Sequence, residues 1–114
     1  MLIYKILRPA EWAGFEAAGR FAGSPDDDSS GFIHCSSRAQ AAGSAARFFG
    51  REPELVIAAL DTRLLGDSVR WEEASSGGRF PHVYGDLPLS AVVAVYRAAG
   101  ASSVDEALGP ARPA

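Results

Sequence analysis

The chain is short of the residues that tie small domains together. Its 114 residues include a single cysteine, Cys35, so no internal disulfide can form, and that count fits a reducing compartment. Histidine occurs only at His34 and His82, and neither falls in a paired His or Cys spacing that would support a zinc-type site, so no metal is expected. Lysine is nearly absent: ten of the eleven basic residues are arginine, scattered along a chain of net charge −3. A nucleic-acid binder gathers positive charge on one face. Only a folded arrangement bringing Arg8, Arg38, Arg47 and Arg51 together would do that here, so nucleic acid is not an expected partner. No apolar run is long enough to span a bilayer and Met1-Leu2-Ile3-Tyr4-Lys5 has no signal-peptide pattern, which points to a cytoplasmic protein with no membrane partner. Neither a phosphate-binding P-loop nor a GxGxxG dinucleotide fingerprint is present.

What remains is an ordinary globular composition, 47% hydrophobic and 22% charged. A chain this long buries roughly two-thirds of its unfolded surface without a covalent or metal staple. We read one domain over residues 1–114, with a core over about 2–97 and a weakly patterned tail from about 100 to 114 that is expected to be weakly ordered. Leu2 to Leu7 reads as a central strand, apolar on both faces. Pro9 suits a helix start; Trp12, Phe15 and Ala18 fall on one helical stripe, and Gly19 is a stop. Phe21 to Pro25 is extended, and Asp26-Asp27-Asp28-Ser29-Ser30 is expected to be a solvated acidic loop. Residues 38–49 predict a second helix ending at Gly50. Residues 54–61, 68–73, 82–84 and 90–97 read as strands, with a flexible loop at Ser75-Ser76-Gly77-Gly78. Helices come early and strands crowd late. The pattern predicts an α+β fold of about six strands and two helices, with a mixed, mostly antiparallel sheet.

The chemistry concentrates in two stretches. Gly31-Phe32-Ile33-His34-Cys35-Ser36-Ser37 reads as a short strand running into a helix start, where Ser37 and Gln40 stand at capping-box spacing. Open helix N–H groups beside an imidazole and hydroxyls suit an anion or polar ligand. Phe80-Pro81-His82-Val83-Tyr84-Gly85 is its counterpart. Alternation places His34 with Phe32 and Ser36 on one strand face, and His82 with Tyr84 on another. If the two strands are neighbours, both imidazoles, the phenol and a carboxylate converge. Glu72 is the candidate carboxylate; beside Trp71 it would be partly desolvated and its pKa raised. Cys35 faces away from His34, so a thiolate–imidazole pair is not expected.

Several of these residues also carry a likeness to a known family. Ile3-Tyr4-Lys5-Ile6, Trp12, Gly31 to Ser36, Trp71-Glu72 and Phe80 to Gly85 resemble, in order and spacing, a small bacterial family catalogued as domain of unknown function 952. The likeness covers roughly residues 2–97, with Cys35 where members usually carry an aliphatic residue. That family is distantly similar to the ADP-ribosyltransferase-like fold, including the tRNA 2′-phosphotransferases, whose His-hydrophobic-Ser segment resembles His34-Cys35-Ser36. The resemblance implies a split, mostly antiparallel sheet clamping NAD, used as a substrate for ADP-ribosyl or glycosyl transfer. His34 and Ser36 would hold the ribose and phosphates, Tyr84 would stack on the nicotinamide, and Glu72 would bind the ribose hydroxyl. Tyr4 and Lys5 stand where related transferases place Arg or His, and they join Ser37 and Trp71 as candidate ligand contacts. His34, Glu72 and His82 are the candidate catalytic residues. The acidic charge balance argues against an RNA substrate. Two other readings stay open: a non-catalytic module binding a small ligand or anion in the same cleft, and a hydrolase using His34 and His82 as acid and base. Nothing in the sequence chooses between monomer and homodimer.

Overall fold

A computed structural model describes residues 1–75 and 77–110. The apolar run Leu55–Asp61 forms strand β4, buried along its whole length, as a run without alternation requires when both faces are covered. Strands β1 (Leu2–Leu7) and β8 (Val92–Ala98) flank it, both antiparallel. On one face Ile3, Leu7, Val56, Ala58 and Leu60 join a core with Trp12 and Phe15 of helix α1 (Pro9–Ala18). Ala18, placed on the same stripe by periodicity, is exposed. Gly19 ends the helix at φ 76, a conformation that favours glycine. The opposite face, with Tyr4, Ile6, Leu55 and Ile57, packs against Ala41 and Ala45 of helix α3 (Ala41–Phe49).

A second sheet, again antiparallel, has the order β3 (Ile33–His34), β6 (Arg79–Val83), β5 (Val69–Glu73). A two-residue ribbon pairs β2 (Arg20–Phe21) with β7 (Leu87–Pro88). The two larger sheets meet at a single bridge, where Tyr4 N donates to Ser36 O at 2.7 Å and Ser36 N to Tyr4 O at 2.8 Å. The fold is α+β, and every strand pair among the described residues is antiparallel.

Three expectations are corrected. The described residues contain four α-helices rather than two, and eight strands rather than six, the extra pair being β2 and β7. The acidic segment is not a solvated loop. It is helix α2 (Pro25–Ser30), with Asp27 buried. Ala101 to Leu108 are not a weakly ordered tail: a 3-10 turn at Ala101–Ser103 leads into α4 (Val104–Leu108), and Val104 is fully buried. Arg38 fastens this end, its Nη1 donating to Asp105 Oδ1 at 2.8 Å and its Nε to Gly109 O at 3.0 Å. The last strand starts at Val92 because Leu89–Ala91 form a 3-10 turn. Ser76 of the expected flexible loop, and Ala111 to Ala114 of the expected tail, lie outside the described residues. Among the described residues, no helix is long and apolar enough to cross a membrane.

Candidate functional site

The register of β3 against β6 sets His34 opposite His82. Directly opposed residues of an antiparallel pair share a sheet face, and the two imidazole centroids lie 5.6 Å apart with planes at 70°. Phe32 holds both rings. It stacks on His82 with centroids 3.9 Å apart and meets His34 at 4.7 Å.

Each imidazole leans on a carboxylate through Nδ1: His34 on Asp27 Oδ1 at 2.7 Å, His82 on Glu72 Oε1 at 2.9 Å. An ionised carboxylate can only accept, so each Nδ1 carries the proton and each neutral ring keeps Nε2 as its acceptor. Asp27 is heavily supported. Its Oδ1 also accepts from the His34 backbone N at 2.9 Å, and its Oδ2 from Lys5 Nζ, Ser24 Oγ and Ser24 N. Burial by itself would raise this carboxyl's pKa. The His34 hydrogen bond and the Lys5 charge outweigh burial and hold it well below the usual carboxylate range. Lys5 Nζ also donates to His34 O at 3.0 Å, so one lysine braces both members of the dyad.

Glu72 behaves opposite to expectation. Its pKa is lowered, first by the Tyr84 hydroxyl, which donates to Oε1 at 2.6 Å, and then by His82. Trp71, adjacent in β5, sits opposite Pro81 and packs on the hydrophobic core, so it does not desolvate the carboxylate. The same bond pushes the Tyr84 phenol above its ordinary value, and the Arg70 guanidinium stands 5.0 Å from the Tyr84 ring centre.

A cavity of about 350 Å³ opens beside the paired histidines; Lys5, His34, Ser36, Arg47, Phe80 and His82 are among its lining residues. No carboxylate lines it among the described residues. Ser36 Oγ donates to Ser44 Oγ at 2.8 Å along this wall. Among the described residues no buried side-chain nitrogen or oxygen lacks a hydrogen bond. His82 Nε2, with no protein partner there, therefore still reaches solvent space.

The candidate residues thus divide. His34, His82, Ser36 and Lys5 meet at the cavity. Glu72 and Tyr84 connect to it only through His82. Ser37 does not cap α3, whose N-cap is Gln40 without a side-chain cap; it closes the turn ahead of the helix, its N donating to Gln40 Oε1 at 3.0 Å and its Oγ accepting from Gln40 N at 3.2 Å. Tyr4 is buried in the core on the α3 side of β1. Cys35 is buried, which pushes its thiol up to about 12 and leaves it protonated at neutral pH. The residue that sequence reading missed is Asp27. Its signal was present: Ser24 at a cap, Pro25 at the first helical position and an acid at the third. Among the described residues, no group of three or more His, Cys, Asp or Glu is arranged to hold a metal ion.

No curated protein matches the chain. It is similar to the crystal structure of protein CC0527 from Caulobacter crescentus, at 44% identity over 83% of each chain and a TM-score of 0.79. The solution NMR structure of CC0527 is 45% identical over 82% of this chain and 81% of that one, with a TM-score of 0.73. Residues 6–95 match the family described as Protein of unknown function (DUF952), and the chain belongs to that family.

Proposed function

We propose that the protein is an enzyme that binds a small nucleotide-class ligand in the cavity and acts on it by acid–base catalysis through His34 and His82. The observation behind this reading is the double dyad. Two imidazoles 5.6 Å apart, each fixed by a carboxylate on Nδ1, present two Nε2 atoms on one sheet face. Two groups so placed can both come within hydrogen-bond reach of one substrate, as an acid and a base acting on one scissile bond must. One Nε2 removes a proton from an attacking water or hydroxyl as its oxygen bonds to phosphorus or an anomeric carbon. The other enters the step as imidazolium, with Nδ1–H held by its carboxylate, and gives its Nε2 proton to the departing oxygen or nitrogen as the old bond breaks. Asp27 and Glu72 hold the rings and offset the imidazolium charge.

NAD is the first ligand to try, because His34-Cys35-Ser36 lies at the joint of a split sheet, as the likeness to ADP-ribosyltransferase-like folds implies. Glycosyl transfer of that kind calls for a carboxylate at the ribose. Glu72 stands behind His82 instead, which favours the histidine-based mechanism.

A thermal-shift series on wild type and His34→Asn tests the reading, with NAD, ADP-ribose, nicotinamide, AMP and inorganic phosphate. A ligand at about a hundred times its dissociation constant adds about 2.7 kcal/mol, a rise of several degrees in a domain this size. The active ligand then turns over with a bell-shaped pH profile, and either His→Asn change lowers kcat about 10²- to 10⁴-fold. Binding without turnover makes the protein a binding module. A flat response to every nucleotide ends the proposal.

A further inference from the structure

Resting on that reading of the cavity, we infer that Arg47 is the anchor for an anionic group, phosphate or carboxylate, on a ligand whose enclosed part is the size of one nucleoside. The charge of the cavity wall is one-sided: Lys5 and Arg47 line it, and no carboxylate does among the described residues. Lys5 is already neutralised, buried against Asp27 at 3.0 Å. Arg47 is not. Arg8, Arg20, Arg38, Arg63 and Arg97 each pair with a carboxylate; Arg47, like Arg51, Arg70 and Arg79, has no ion pair among the described residues, and of these four only Arg47 lines the cavity. Its guanidinium stands 5.4 Å from the ring centre of Phe48 instead, a cation–π contact that leaves its N–H donors for another partner.

Position and size agree with this role. Arg47 and Phe48 belong to the wall of a second cavity, of about 450 Å³, as well as the first, so Arg47 borders both. Phe48 is one of the most exposed apolar side chains described, and with Phe80 it offers flat apolar surface to a ring. At about 350 Å³ the first cavity lies at the low end of small-ligand sites. It has room for a base and a sugar, and an attached anion would emerge at Arg47.

Matched pairs test the anchor by isothermal titration: adenosine against AMP, nicotinamide riboside against its mononucleotide, and nicotinamide against nicotinate. On wild type the phosphorylated partner binds about ten- to a hundredfold tighter, as charge-assisted bonds to one guanidinium allow. A preference confined to the nicotinate pair assigns the anchor to carboxylate instead. Arg47→Met abolishes the preference and leaves the affinity of the partner without the anionic group unchanged, while Arg47→Lys restores part of it. Arg47 is exposed, so equal melting midpoints establish that the variants are folded. Equal affinities within every wild-type pair, or a preference that survives Arg47→Met, overturn the anchor while leaving the His34–His82 mechanism standing. Failure of every nucleoside and nucleotide to bind wild type overturns both.

Discussion

The two histidine–carboxylate dyads have the same connectivity and opposite surroundings. The His34 side chain is 42% exposed and its Asp27 partner 2%; the His82 side chain is 7% exposed and its Glu72 partner 38%. In one dyad the base is wet and its support is buried. In the other the support is wet and the base is enclosed. Asp27 therefore belongs to the fold as much as to the site: it caps α2 through Ser24, neutralises Lys5 of β1 and fixes β3 at His34. Glu72 hangs from a strand at the surface and touches only the site, through Tyr84 and His82. A change at Asp27 should disturb packing and chemistry together, whereas a change at Glu72 should disturb chemistry alone.

The sharpest way to break this contrast is to remove one carboxylate at a time. Asp27→Ala strands a lysine that is almost fully buried and leaves the α2 cap and His34 without an acceptor. Loss of one partner from a buried pair is expected to cost about 3–5 kcal/mol, read from the denaturant midpoint with m unchanged. Lys5→Met combined with Asp27→Asn should recover much of that loss, because no charge is left buried. Glu72→Gln should leave the midpoint near wild type. If Asp27→Ala is no more destabilising than Glu72→Gln, the division between structural and site carboxylate is wrong.

Acid unfolding separates the dyads by a smaller margin. The Asp27 carboxyl is held below its ordinary 3.8 in the folded chain, so the unfolded chain takes up that proton first. The stabilisation is complete above pH 3.8 and is lost progressively as pH falls toward the depressed folded value. Asp27→Asn should flatten that limb of the stability curve. Glu72 is lowered in the same direction, but at the surface solvent screens its contribution, so Glu72→Gln should track wild type. Asp61, drawn down to about 2 by Arg63, supplies slope common to all three proteins.

The same contrast explains what could be read from the sequence. β4 was legible because an unbroken apolar run has few other uses, β1 as a strand though not as the edge of its sheet, and the two histidine stretches because period-two alternation fixes which side chains share a face. His34 and His82 being opposed depended on register between strands separated by 48 positions, which no local pattern encodes. Asp27 was misread because three consecutive aspartates look like solvent-facing charge, and only Lys5, far away in sequence, makes one of them buried. Glu72 was misread in sign because its electrostatics come from Tyr84 and His82 across the strand pair rather than from adjacent Trp71. The C-terminal helix was missed because its small, Pro-flanked sequence has little periodicity. Its order comes from Val104 entering the core and Arg38 binding its end.

The smallest expected effect is at the outermost member of the exposed dyad. The Tyr84 phenol is held above its ordinary 10.0 mainly by the hydrogen bond to Glu72. A raised folded value contributes stability below pH 10.0 that is lost as pH climbs through it. Ring resonances followed by NMR in wild type should show Tyr84 titrating later than a free phenol, and in Glu72→Gln the titration should move back toward 10.0. Tyr84→Phe should leave the melting midpoint in place, because the ring remains beside Phe32 and only an exposed hydroxyl is lost. It should still alter the pH profile of turnover, since Glu72 then has His82 as its one remaining donor and bonds that ring more strongly. A Tyr84→Phe profile identical to wild type would confine the working dyad to Asp27 and His34, with the phenol serving only to cover Glu72.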